Sequence, residues 1–171
     1  MSAHLSPIIA ATTRWLITAY PSTDGAFSQA LVEAQARQAV GVAARLRYPS
    51  SMDAELLELT GPGGAGRLDS LVDLEPEDAD SWRTWVDEVV ASWACCLLAD
   101  PALAIRAIAA LPAEQSATPR PDFRRLTEPG QRERDASALL RHPDLLSPVA
   151  EMHSAELLLL VGAATVSAAS N

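Results

Sequence analysis

A chain of 171 residues, 49% hydrophobic but only 5% aromatic, can bury a core without disulfides or metals, and its wealth of alanine and leucine favours helices over strands. All thirteen basic residues are arginine and face twenty-two acids, so the formal net charge of −9 opposes binding to nucleic acid or to an anionic membrane. The lack of lysine reads as a coding bias without functional weight.

The N-terminal stretch MSAHLSPIIAATTRWLITAY is apolar, but it lacks a basic n-region and a convincing cleavage site, and Arg14 interrupts it; the expectation is a cytoplasmic protein. Ser6 and Pro7 form a cap and first-turn pair that starts a helix ending before Pro21. A second, longer amphipathic helix is predicted from about Asp24 to Arg47, with Phe27, Leu31, Ala34, Val42 and Leu46 on one broad face. Gln35 and Gln38 fall on its apolar side, as polar contacts in a pocket or as amides bonding across a dimer interface. Ser50 and Asp53 are spaced as a capping box for a short helix to Leu59.

The glycine-rich TGPGGAG, 60–66, lacks the G-K-[ST] ending of a phosphate-binding loop and the context of a dinucleotide turn, so it reads as a turn or hinge. The acids that follow, from Asp69 to Asp80, do not have the EF-hand pattern and are read as complementing the dipole of the next helix. That helix is predicted over 80–99, where Trp82, Trp85, Val86, Val89, Val90, Trp93, Cys96 and Leu97 recur at helical spacing. Such a tryptophan stripe forms core, a subunit interface or the wall of an aromatic pocket, with Glu88, Ser92 and Cys95 on its flank. Adjacent Cys95 and Cys96 cannot join without strain and cannot make a four-ligand zinc site, so they are expected as reduced core thiols.

After a helix from Pro101 to Leu111, residues 112–130 carry Pro112, Pro119, Pro121 and Pro129 and are read as an irregular strap. Arg120, Arg124 and Arg125 on this strap are candidates for gripping a carboxylate or phosphate. The competing explanation is that the arginines of 101–145 lie against the acids of 51–100. A helix from Gln131 to Arg141 follows, and a closing helix is predicted from Pro148 to about Ala169. No coiled-coil heptad, internal repeat or membrane-length apolar run is present.

These elements predict an all-α single domain over 1–171, a bundle of about seven helices whose four long core helices start near Pro7, Asp24, Asp80 and Pro148. The closing helix is apolar all round after Glu156, which predicts that it is the central, buried one. Glu156 would then sit where burial begins, sharing an edge with His153 and near Met152, while Glu151 complements the helix dipole.

The favoured function is therefore an apolar small-molecule pocket lined by Trp82, Trp85, Trp93, Glu88, Gln35, Gln38 and Met152. If the protein is an enzyme, His153 acts as general acid or base with Glu156 orienting it, with no cofactor, on a hydrophobic substrate. The alternative is a non-catalytic accessory protein that acts as a homodimer. A third reading, a di-iron carboxylate oxygenase, meets a reversed motif: His-x-x-Glu occurs once where Glu-x-x-His should occur twice, and only Glu33 and Glu88 are offered by other helices.

Overall fold

The computed structural model describes residues 5–61, 63–74, 81–112 and 123–169. They are all-helical, with no strand among them. Helix α1 spans Ser6–Ala19 and α2 spans Gly25–Arg47; Tyr20 and Tyr48 close them ahead of Pro21 and Pro49. Helix α3, Ser51–Thr60, starts with the expected reciprocal cap: the Asp53 N–H donates to Ser50 Oγ (3.2 Å) and the Ser50 N–H to Asp53 Oδ2 (3.1 Å). Helix α4, Ala65–Leu71, follows the glycine loop, and a 3-10 turn covers Ser81–Trp85. Then come α5 (Glu88–Ala99), α6 (Pro101–Ala109), α7 (Arg124–Thr127), α8 (Gln131–Ala136), α9 (Pro143–Ala150) and α10 (Ser154–Ala169).

The helix expected over 80–99 starts at Glu88 instead. Asp87 is in extended conformation, and its Oδ1 accepts from the N–H groups of Val89 (2.9 Å) and Val90 (3.1 Å), the geometry of an N-cap. The Tyr48 hydroxyl bonds the other oxygen of the same carboxylate. A cap held from both sides outweighs the helical spacing of the residues before it. The tryptophan stripe is consequently broken: Trp82 and Trp85 lie on the 3-10 turn and only Trp93 on α5.

Every residue of α5 from Val90 to Leu98 is buried, so this helix is the central one. It packs most extensively on α2 and α9, while α1 packs mainly on α2 and also touches the 3-10 turn and α5. The closing segment is a correction to the sequence reading. Helices α9 and α10 meet at an 85° bend, and α10 buries Leu157 and Val161 but exposes Leu158 and Leu159. The bend is stabilised by α5. The His153 N–H donates to Ser92 Oγ (3.1 Å), the Ser92 hydroxyl donates to the Ala150 carbonyl (3.0 Å), and Trp93 Nε1 donates to the His153 carbonyl (3.2 Å). Ser92 takes the place of bonds that a continuous helix would make through the Ala150 carbonyl and the His153 N–H, and Trp93 adds to the Leu157 N–H as a second donor to the His153 carbonyl.

A second polar knot joins α2 to the α7–α8 region. Gln35, fully buried, accepts at Oε1 from Arg141 Nε (2.6 Å) and Ser137 Oγ (3.1 Å), and donates through Nε2 to the Leu31 and Glu133 carbonyls. Arg141 also donates to the Leu98 (3.1 Å) and Arg125 (2.8 Å) carbonyls. Burial lowers its pKa to about 10, against the opposing effect of Glu133. Gln35→Ala removes the acceptor of a half-buried guanidinium and should destabilise the fold by about 2–4 kcal/mol in urea unfolding at neutral pH.

The thiols give a pH dependence. Burial raises Cys96 from 9.0 to about 11 and raises Cys95 further. The unfolded chain ionises first, so the thiols' contribution to stability should be constant below about pH 9 and be lost as pH rises through the folded value of about 11. Urea midpoints at pH 7, 9 and 11 test this, and Cys96→Ala should shrink the alkaline loss.

Candidate functional site

His153 stands at the start of α10, one-quarter exposed, between two carboxylates. Its Nε2 is 3.2 Å from Glu88 Oε1, and its Nδ1 is 3.8 Å from Glu156 Oε2. Glu88 is the closer partner and the more buried one; the Glu156 side chain is 59% exposed. The expected burial of Glu156 is thus overturned, because the bend leaves only one face of α10 against the body. Glu88 also accepts from Arg67 Nη1 at 2.6 Å. The cluster is therefore a surface-edge array of Arg67, Glu88, His153 and Glu156 that ties α4, α5 and α10 together. Met152, beside it, packs on the core.

Gly64 explains how the glycine loop contributes. It is the N-cap of α4 at φ +95°, and a Cβ there would lie 2.7 Å from Glu88 Cβ. Both the left-handed backbone and the close approach require glycine. Gly64→Ala should cost about 1–3 kcal/mol in thermal or chemical unfolding and displace Glu88 from His153, seen as a changed His153 ring signal by NMR.

The three tryptophans lie in different surroundings. Trp93 is 3% exposed and bonded to the His153 carbonyl, whereas Trp85 is exposed. Two guanidinium groups, those of Arg14 and Arg83, each lie over the Trp82 ring at 5.6 Å from its centroid. Arg83 in turn pairs with Asp69 (2.8 Å), whose other oxygen accepts from Trp15 Nε1 (2.7 Å).

The arginine candidates separate as well. Arg125 pairs with Glu133 (2.9 Å), and Arg124 and Arg125 line a shallow depression that also presents Glu128 and Glu133, whose carboxylates oppose an anion. Arg120 and the strap over 113–122 lie outside the described residues, as do the acids of 75–80. Among the described residues no three or more His, Cys, Asp or Glu side chains are grouped to hold a metal, which leaves the di-iron alternative without a ligand set there.

A cavity of about 430 Å³ lies between α1 and α2 and in front of Phe123. Among the described residues its wall is formed by Ser6 and Ile9 of α1, Ala34, Arg37, Gln38, Gly41 and Arg45 of α2, and Phe123. Gln38 is the one pocket candidate from the sequence found here, and its Oε1 accepts from the Leu126 N–H (3.1 Å). Gly41 leaves room for the Arg45 guanidinium, which folds back so that Nη1 donates to the Gly41 carbonyl at 2.7 Å. Burial lowers the Arg45 pKa. Arg37 is engaged by Glu33 one turn away. The sequence signal for this site was a glycine inside the longest helix, with Ala34, Gln38 and Arg45 on the same stripe.

Compared with known family models, curated proteins and solved structures, the chain matches none.

Proposed function

We propose that the protein binds a small organic molecule in the cavity between α1 and α2. The observation that carries this reading is the cavity itself. Its volume of about 430 Å³ falls within the ~300–1,000 Å³ of ordinary ligand sites, and its wall combines apolar surface with a few convergent polar groups. The expected hydrophobic ligand is retained, and the tryptophan wall is replaced by Ile9, Ala34, Gly41 and Phe123. Among the described residues the cavity wall offers arginines, an amide and a hydroxyl, and no carboxylate or imidazole to move a proton at neutral pH. Binding is therefore favoured over acid/base turnover, and the His153–Glu88 pair is read as an anchor for α10. Two buried, unjoined thiols suit a reducing cytoplasm.

Nile red, a neutral apolar dye, should brighten and shift to the blue on binding the wild type. Ala34→Trp, which fills the cavity from α2, should abolish this while the circular dichroism stays helical. An equal response from both proteins would refute the site.

The homodimer reading rests on a different observation: Leu158 and Leu159 of α10 are 51% and 75% exposed, side by side on a helix with little charge. No single helix among the described residues is long and apolar enough to cross a membrane. If this face joins two copies, light scattering should give twice the chain mass of 18.1 kDa, and Leu159→Glu should return the protein to monomer. A monomeric wild type would remove this reading.

A further inference from the structure

The start of α2 and helix α8 face each other across a further cleft, of about 400 Å³. On one side Asp24, the N-cap residue of α2, is followed by Phe27 and Leu31 at i+3 and i+7, so the three share one stripe. On the other side Arg132, Asp135 and Ala136 of α8 stand at i, i+3 and i+4 and form the opposing stripe. One turn beyond Leu31, the buried Gln35 amide accepts from Ser137 Oγ (3.1 Å) and donates to the Glu133 carbonyl (3.1 Å). The two walls are thereby joined at one end and hold their spacing, which limits what a ligand must order.

The charges on these walls are opposite and do not meet. Asp24 makes no capping bond to its own helix. Among the described residues neither Asp24 nor Arg132 forms an ion pair or a side-chain hydrogen bond, with the other or elsewhere. A carboxylate and a guanidinium therefore line one cleft too far apart to neutralise each other. Asp135 adds a second carboxylate, engaged by Gln131 Nε2 at 2.7 Å. Phe27, 68% exposed, supplies apolar surface beside them.

We infer that this cleft binds a free α-amino acid with an apolar side chain. Its ammonium faces Asp24, its carboxylate faces the planar fork of Arg132, and its side chain covers Phe27 and Leu31. A cation answers Asp24 alone and an anion answers Arg132 alone, whereas a zwitterion answers both. An anion is the least favoured of the three, because Asp135 and the net charge of −9 oppose it. A peptide terminus carries one of the two charges and not the other. The cleft volume lies near the lower end of the ~300–1,000 Å³ of ordinary ligand sites, which suits a ligand of this size. The site shares no residue with the cavity between α1 and α2 and does not depend on that cavity being occupied.

The experiment is an NMR titration of the full chain with leucine, leucinamide and N-acetylleucine, which share a side chain and present both charges, the positive one or the negative one. Leucine should bind tightest, roughly fivefold tighter than leucinamide, the scale of one exposed charge pair, with N-acetylleucine weakest. The amide signals of Phe27, Leu31 and Ala136 should move most. Asp24→Asn keeps a good N-cap residue and should remove the advantage of leucine over N-acetylleucine. Arg132→Gln should remove its advantage over leucinamide, and Ala34→Trp should leave leucine binding unchanged. Leucinamide or N-acetylleucine binding as tightly as leucine, or no signal moving at the highest soluble leucine concentration, would overturn the assignment. So would shifts centred on Ile9 and Gly41, which would place the ligand in the other cavity. The comparison of the three probes on the wild type needs no variant to fold.

Discussion

From Val90 to Leu98 every side chain of α5 is buried, so each polar atom on that helix must find its partner inside the protein. Ser92 and Trp93 find theirs in the backbone between α9 and α10. The Ser92 hydroxyl accepts from the His153 N–H and donates to the Ala150 carbonyl, using both capacities of a hydroxyl at once. The 85° bend follows from those bonds. It turns α10 across the body, puts His153 beside Glu88 and leaves Glu156 in solvent. The feature that most resembles an active site is thus a consequence of how the central helix satisfies its own polar groups.

Helix α2 carries a comparable burden on a different face. Gln35 looks into the protein, where its amide joins Arg141, Ser137 and two carbonyls, and fixes α7 and α8 against the long helix. Ala34, Gln38, Gly41 and Arg45 occupy the neighbouring stripe and form the cavity wall. Gln38 also receives the Leu126 N–H, so the segment carrying Phe123 is tied to the same helix that forms the cavity floor. Support of this kind holds the cavity wall in one shape, and the proposed binding role would draw on it because less then has to be ordered when a ligand arrives.

The sequence displayed local features well and tertiary ones poorly. Alanine and leucine richness foretold an all-helical chain, and the Ser50 and Asp53 spacing foretold a reciprocal cap that is present. The apolar side of α2 correctly held Gln35 and Gln38. Two helix boundaries were hidden because a distant group decides each. Tyr48 helps to hold Asp87 as a cap, and Ser92 with Trp93 holds the bend before α10. A periodic pattern cannot register a hydrogen bond arriving from 60 residues away. Glu156 was misplaced for the same reason: an all-apolar helix is central only if the chain runs straight into the core, and this one turns first. Glu88, read from the sequence as a flank of the tryptophan stripe and a pocket residue, is the closer partner of His153.

Gly41 shows why the cavity was harder to read than the core. A glycine within a helix of 23 residues weakens it by roughly 1 kcal/mol relative to alanine, and nothing in the backbone there requires glycine, since its φ is ordinary. Gly64 is different, because a left-handed conformation and the nearness of Glu88 both demand it. At Gly41 the missing side chain serves two ends in space: it opens the groove below Ile9 and Phe123, and it gives the Arg45 guanidinium a carbonyl to rest on. Local propensity alone would favour alanine at this position. Glycine opposes local propensity here because of a neighbour and not because of its own backbone: a Cβ would lie 3.0 Å from Arg45 Nη1, so the guanidinium could keep its place on the Gly41 carbonyl only by giving way.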